Sequence, residues 1–546
     1  MKKVLTPHSR TTPRGWRAGL GIALAFCLAV GVLAACGEEA EPEAPATTAA
    51  PATTAAPETT AAPAPVDPDA EKRGGTLQLG TPQPIQTLDP HQFGIYNNRN
   101  AWPGLYSGLT RYTEELEPVP DLAVSWEWDD AGTAWTFNLR EGVQFHNGQP
   151  FTAADVKYSL DRLLHPDTNA GVYAEAISTI EEVEVVDDQT VVLHLSAPSA
   201  VLLAGLARAM IIPEGSGDTI AQEGIGTGPF VMVDYVADER LIMTRNENYW
   251  EEGLPYLDGV EVTVNPDTTS LFTALSAGDV DIYWQLEPRF VQQIAKEGEL
   301  RTLFAPSSSV VTYMSIYNGA PPFDDVRARQ ALLHAMDLDT INTLAFFDTG
   351  IAVPTNNLLP PGHWAEAPGL TEYPYDLDRA KALFEEVGVT ELSYVGLNIV
   401  PWTRIIGEVM EQSLGKIGIK LNVSMPELGG WSDAFTPNPA PGAIVANAAL
   451  PDYDPAFLWN LAHPDVNPWG FGDEAFSQML ADAAAELDMD KRIAAYASVQ
   501  EIWNAEVPTP ILYFDRWFHG VRDRVQDLKH LNSGDLDYRE TWLTDK

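Results

Sequence analysis

The segment Trp135-Thr-Phe-Asn-Leu-Arg140-Glu-Gly-Val-Gln-Phe145-His-Asn-Gly-Gln-Pro150-Phe-Thr-Ala-Ala-Asp155-Val changes its hydrophobic period partway along. Trp135, Phe137 and Leu139 alternate with polar residues, the period of two expected of a half-buried strand. Beyond Pro150 the pattern lengthens. Thr152-Ala-Ala-Asp155 has the spacing of a capping box, with Asp where Glu is usual. Val156, Leu160, Leu163 and Leu164 then mark one helical face. A strand and a helix so close together make this an α/β region.

The same alternation of elements continues in both directions. Val191, Leu193 and Leu195 alternate as a strand, and Asp187-Asp188 separates them from Val183–Val186, which predicts a hairpin. Ala380, Leu383, Phe384 and Val387 form a helical stripe stopped by Gly388. Ile405, Ile406, Val409, Met410, Ser413, Leu414 and Ile417 form another, stopped by Gly418, and Ile419, Leu421, Val423 and Met425 alternate immediately afterwards. Ser270 is a candidate cap for a helix over 271–277, with Gly278 as its stop and Val280 and Ile282 in the next strand. Helix, glycine, strand is the grammar of a twisted mixed sheet. The one Gly-rich cluster, Gly224-Ile-Gly226-Thr-Gly228-Pro229, lacks the spacing of a dinucleotide fingerprint and is expected to be a chain crossover with unusual backbone angles.

At 546 residues the chain exceeds the about 250–300 at which single cores stop growing, so several domains are expected. Hydrophobic residues make up 45%, enough to bury them. With 77 Asp and Glu against 33 Lys and Arg the net charge is −44, which argues against nucleic acid and against a basic patch on anionic lipid. Two cysteines exclude a disulfide framework and any Cys-rich zinc or iron–sulfur site.

Residues 1–35 carry Lys2, Lys3, Arg10, Arg14 and Arg17 and no acid, and an apolar run extends from Ala18 to Ala35. That is the build of a signal peptide. The run ends Leu33-Ala34-Ala35-Cys36-Gly37, which resembles a bacterial lipobox and implies cleavage before Cys36 and lipidation of its thiol. Loss of the five signal charges takes the net charge from −44 to −49. Lipid is then the expected membrane anchor. Residues 36–73 are expected to be a lipidated cysteine followed by a disordered tether rich in Ala, Pro and Thr, with a six-residue unit recurring over 46–63 and no large apolar residue there to bury.

No local signature of catalysis is present. The histidines are scattered and form no H-E-x-x-H pair, and the chain contains no G-x-S-x-G elbow, Walker A loop or EF-hand calcium loop. Carboxylate pairs such as Asp324-Asp325 and Glu251-Glu252 are too common in so acidic a chain to inform. No catalytic residue, metal ligand or cofactor is expected.

The opening segment resembles the best-known signature of the extracytoplasmic solute-binding proteins of ABC importers, in the group that binds dipeptides, oligopeptides or nickel. Gly226-Thr-Gly-Pro-Phe230 followed by Arg245-Asn-Glu-Asn-Tyr249-Trp250 is similar to the next. Pro322-Phe-Asp-Asp-Val-Arg327-Ala-Arg-Gln-Ala331, running to Met336-Asp337, resembles a third, and Ala274-Leu-Ser-Ala-Gly278-Asp-Val-Asp281 and Asp378-Arg-Ala-Lys-Ala-Leu-Phe384 also fit, all in family order. The resemblance implies an α/β, two-lobed periplasmic-binding-protein-like fold of class II type, with mixed twisted sheets and an extra inserted region. Lobe I would comprise 74–113, 225–305 and 507–546, the inserted region 114–224, and lobe II 306–506. Crossings near 305 and 506 would form the hinge, and Gly226–Gly228 the return from the insertion.

The implied function is a lipid-anchored receptor that closes on a small, peptide-like solute and delivers it to an ABC permease and its ATPase subunits, without chemical change. Peptide-binding relatives hold the α-ammonium with an Asp just before an Asp-Pro. In Ala449-Leu450-Pro451-Asp452-Tyr453-Asp454-Pro455 the counterpart is Asp452, although the relatives' Trp is Ala449 here and the gap is one residue shorter. Trp402, Trp431, Tyr283 and Trp284 lie in or beside segments that face the cleft in the family, and Tyr106, Tyr313 and Asn318 are further candidate contacts. Arg140 is expected to be a structural charge. The alternatives are the same fold carrying an oligosaccharide or another small solute and, from a different class, an extracellular hydrolase.

Overall fold

Three larger sheets organise the residues described by the computed structural model, which are 69–545 apart from 93–101, 116, 309, 399, 435–441, 450–453, 458–468, 470 and 472–473. The expected signal peptide, Cys36 and nearly all of the tether lie outside them.

The first sheet has seven strands, in the order Leu300–Phe304, Phe518–Arg522, Ile282–Tyr283, Thr76–Thr81, Gly259–Val264, Arg240–Arg245 and Phe230–Val236. It is mixed: Thr76–Thr81 runs parallel to both its neighbours, while Phe518–Arg522 is antiparallel to both of its own. The second sheet has six, in the order Ala352–Pro354, Ile511–Asp515, Val310–Ile316, Ala443–Ala449, Glu391–Val395 and Lys420–Ser424. The third is an antiparallel four-stranded sheet, Ala123–Trp128, Ala134–Leu139, Thr190–Leu195 and Ile180–Asp187, lying within 114–224.

The opening segment folds as its two periods require. Trp135 and Phe137 are buried in Ala134–Leu139, and helix Ala153–Leu164 buries Val156, Leu160 and Leu163. Asp155 accepts the Thr152 N–H at 2.9 Å and its hydroxyl at 3.2 Å, so the shorter acid still reaches back over the first turn. In the second lobe, Glu391–Val395, helix Pro401–Lys416 and Lys420–Ser424 form a parallel βαβ unit, with Gly418 at φ 83° where the chain turns from helix to strand.

Two expectations change. Helix Thr268–Ala277 is capped by Asp267, whose carboxylate accepts the Thr269 and Ser270 N–H groups, and not by Ser270. Ile511–Asp515 was expected in lobe I but belongs to the second sheet, pairing with both Val310–Ile316 and Ala352–Pro354. Its Ile511, Leu512, Tyr513 and Phe514 are buried in that lobe's cores, which fixes it there. The second crossing therefore falls after Asp515, before Phe518.

The two crossings are bonded to each other. Ala305 N–H donates to Trp517 O at 2.8 Å. Arg516 returns the contact, donating to Ala305 O from Nη2 at 2.6 Å and Nε at 3.2 Å. The two segments that pass between the first and second sheets therefore run side by side. A separate link joins the inserted region to the second lobe, where Ala200 N–H donates to Ala484 O at 3.1 Å. The glycine cluster closes the insertion by close approach: a Cβ on Gly226 would lie 2.0 Å from Leu105 O, and one on Gly228 2.5 Å from Leu105 C. Gly224 alone of the three takes a positive φ, 56°.

Candidate functional site: a cavity in the first lobe

The residues from Trp102 to Tyr112 run from a four-residue helix, Trp102–Leu105, into strand Thr110–Tyr112. They meet Ala207–Met210 of the inserted region and the C-terminal hairpin around Leu536. Between these segments lies a cavity of about 100 Å³, partly open to solvent and lined mainly by apolar surface. Its wall includes Trp102, Tyr106, Tyr173 and Met210. Trp102 and Tyr173 meet edge to face at 5.8 Å. Tyr106 donates its hydroxyl to Leu88 O at 2.7 Å, and burial pushes its phenol well above the usual range.

The floor holds Arg111 and Arg539 among the acids Asp121, Glu251 and Asp537. Arg111 donates to Glu251 at 3.0 Å and lies 3.9 Å from Asp121. Arg539 is paired with Asp537 and stands 3.5 Å from Glu251, to which Tyr249 also donates at 3.2 Å. Burial outweighs these cations at the two enclosed acids, pushing Asp121 up to about 8 and Asp537 up to about 7. Arg208 sits over the Tyr112 ring at 5.8 Å. Among the described residues, no three His, Cys, Asp or Glu side chains gather as a metal site.

Of the sequence-chosen contacts, Tyr106 alone lines this cavity. Tyr283 and Trp284 are core residues of the first lobe. Both are at most 1% exposed: Tyr283 ends a strand in the middle of the seven-stranded sheet, and Trp284, the next residue, stacks on His519 at 5.9 Å. Tyr313 is buried in a core of the second lobe among Phe476, Trp503 and Phe514. Asn318 donates from Nδ2 to Pro508 O at 2.9 Å. Trp402 is half-buried against the helix-side core, and Trp431 donates its indole N–H to Ala446 O at 3.2 Å. Asp452 lies outside the described residues. Its neighbour Asp454 is held by both oxygens on Arg492 Nη2, each at 2.8 Å. Arg140 donates to Asp121 O from Nε and Nη2, each at 3.2 Å, and lies 4.2 Å from the Trp250 ring.

Sequence reasoning missed Trp102, Tyr173, Tyr249 and the floor pairs. A helix of four residues shows no periodicity, and the floor is assembled from four distant segments. One usable signal existed: Trp102 stands four residues before Tyr106, whose N–H donates to Trp102 O at 2.9 Å.

The family model described as bacterial extracellular solute-binding proteins, family 5 (middle), matches residues 117–469. A heme-binding protein A from Haemophilus influenzae is 28% identical over 452 residues, covering 74% of this chain and 80% of the relative. A dipeptide-binding protein from Escherichia coli is 27% identical over 464 residues, covering 77% and 86%. A periplasmic binding protein from Helicobacter pylori, solved with the peptide STSA, has a TM-score of 0.74 at 23% identity and covers 87% of this chain and 99% of its own. An ABC transporter substrate-binding protein from Listeria monocytogenes has a TM-score of 0.78 at 21% identity, covering 87% and 100%. These last two likenesses establish the two-lobed binding-protein fold. The chain belongs to the bacterial extracellular solute-binding proteins of family 5.

Proposed function

We propose that this receptor closes on a peptide-like solute and hands it, unreacted, to an ABC permease driven by ATPase subunits. The observation that carries the motion is the hinge: two chain crossings bonded through Ala305, Arg516 and Trp517. A ligand that touches both lobes favours the form in which both contacts are made, by its differential affinity for that form. The peptide cargo is supported by relatives named as dipeptide- and di/tripeptide-binding proteins at 25–27% identity. The H. influenzae relative named for heme keeps a non-peptide cargo as the second reading.

Asp452 is the proposed partner of the solute's ammonium, through a charge-assisted hydrogen bond, and Trp402 and Trp431 are proposed apolar contacts from the second lobe. Cleavage before Cys36 and its lipidation are the proposed anchor, with the Ala/Pro/Thr-rich segment as a spacer. No helix among the described residues is long and apolar enough to cross a membrane.

Titration calorimetry with di- and tripeptide pools, and in parallel with hemin, tests the cargo. Peptide binding with the peptide recovered intact by mass spectrometry supports this account. Hemin binding without peptide binding transfers it to the second reading, and cleaved peptide overturns the receptor in favour of a hydrolase.

A further inference from the structure

We propose that the inserted region is the keeper of a latch: its turn at Gly132 and its loop over 198–200 hold the second lobe's loop over 484–487, and this contact, made in the closed form and broken in the open one, slows release of the solute. The inference rests on the receptor reading and gives the inserted region a part in it. Three observations carry it.

The first is that the contact joins two separate cores. Trp135, Phe137 and Leu195, which flank the Gly132 turn and the 198–200 loop along the chain, belong to the core shared by the first lobe and the inserted region. Phe476, Leu480 and Ala483 of helix Glu474–Ala485, with Tyr496 and Trp503 of helix Met489–Glu506, belong to a core of the second lobe. The chain passes between the lobes near 305 and 516, well away in sequence from both sides of the contact. Each side therefore moves with its own lobe.

The second is the fit. Ala200 N–H donates to Ala484 O at 3.1 Å. Leu487 lies against the turn: a Cβ on Gly132 would stand 2.9 Å from Leu487 Cδ1 and 3.3 Å from Pro198 Cβ, so the glycine leaves the room that the leucine occupies. Gly132 also takes a φ of 70°, in the left-handed region.

The third is that each side is held in shape by its own lobe. Asp129 Oδ1 accepts the Thr133 and Ala134 N–H groups at 2.8 and 3.1 Å, and the Trp135 indole N–H donates to Gly132 O at 3.1 Å. Across the contact, Arg492 Nε donates to Ala483 O at 3.3 Å while its Nη2 holds Asp454, and Asp488 accepts the Lys491 N–H at 3.1 Å to cap the second helix. Preformed faces lose little freedom on meeting. One hydrogen bond and one partly exposed leucine shift a two-state equilibrium by on the order of tenfold, which prolongs closure without locking it.

The test has two arms, both in a body beginning after Cys36, which holds no native cysteine. In the first, spin labels at Val233→Cys and Leu428→Cys, both exposed and one in each lobe, report the interlobe distance. Leu487→Gln is expected to lower the ratio of shorter to longer distance several-fold, with and without a di- and tripeptide pool, while unfolding curves confirm that the variant folds. In the second, Ala200→Cys and Ala484→Cys are joined by a short bis-methanethiosulfonate. Joined after loading, the protein should release peptide at least tenfold more slowly; joined empty, it should exclude peptide; reduction should reverse both. A distance ratio unchanged by Leu487→Gln, release from the joined protein as fast as from the reduced one, or failure of the two positions to join overturns the latch and leaves the receptor reading standing. Failure of every peptide to bind overturns the peptide reading, and the distance ratio still decides the latch.

Discussion

Two Trp/Tyr pairs in the first lobe have opposite fates. Tyr283-Trp284 follows a helix-stopping glycine and leads out of a strand in the middle of a seven-stranded sheet, so both rings are enclosed on all sides. Trp102 and Tyr106 sit on a single helical turn where the inserted region joins the lobe, so their rings are covered by protein on one side and border a cavity on the other. Residue type is the same. What differs is whether the local element is surrounded by its own sheet or caught between two parts of the chain, and only the second arrangement leaves rings bordering a cavity.

The sharpest way to break the comparison is to truncate both tryptophans. Trp284→Ala should cost about 3–5 kcal/mol of unfolding free energy, the range for a large aromatic removed from a packed core. Trp102→Ala should cost less, about 1–2 kcal/mol, because the cavity already deprives one side of the ring of contacts. Equal losses in denaturant titrations would mean that the cavity is not an energetic feature.

Next in size is the response to pH. Asp121, with its pKa raised to about 8, binds a proton in the folded protein that it releases when unfolded. Its contribution is therefore fully present below the unfolded carboxylate range and is lost as pH rises through about 8. Between pH 6 and pH 8 stability should fall by on the order of 1 kcal/mol per pH unit from this group, and Asp121→Asn should remove that part of the slope. Asp537, raised to about 7, acts in the same direction. The buried His519 and His530, with depressed values, act below their ordinary range and oppose it there. An unchanged slope in Asp121→Asn would show that the floor is hydrated rather than enclosed.

Much of the fold was legible because it is written in local periods. Trp135 to Val156 announces its strand and helix, and Gly388 and Gly418 mark real helix ends. For Ile511–Asp515, the apolar run Ile511–Phe514 says that a strand is buried but not in which sheet. The cavity was the least legible part. Arg111, Asp121, Glu251 and Asp537 come together only through tertiary packing, and in so acidic a sequence none stands out. Residue type and position along the chain do not separate a core ring such as Trp284 from a cavity-lining one such as Trp102.

Smaller effects sharpen the picture. Tyr106→Phe should cost about 1 kcal/mol by leaving Leu88 O without its side-chain donor, read as a shift in denaturation midpoint. Asp267→Ala should cost about 1 kcal/mol, whereas Ser270→Ala should stay within about 0.5 kcal/mol, since the Asp267 carboxylate makes the cap.

The central claim is a hinged clamp around an unreacted guest. Because the chain's two cysteines, Cys27 and Cys36, both precede the folded body, spin labels introduced as Val233→Cys and Leu428→Cys in a body beginning after Cys36 would be the only ones present. Both positions are exposed, one in each lobe. Electron–electron distance measurements should show two interlobe distances, with the shorter one gaining population as a di- and tripeptide pool is added and the peptides afterwards recovered whole. A single distance distribution that stays the same under saturating peptide, or recovery of the peptides in pieces, would contradict the account.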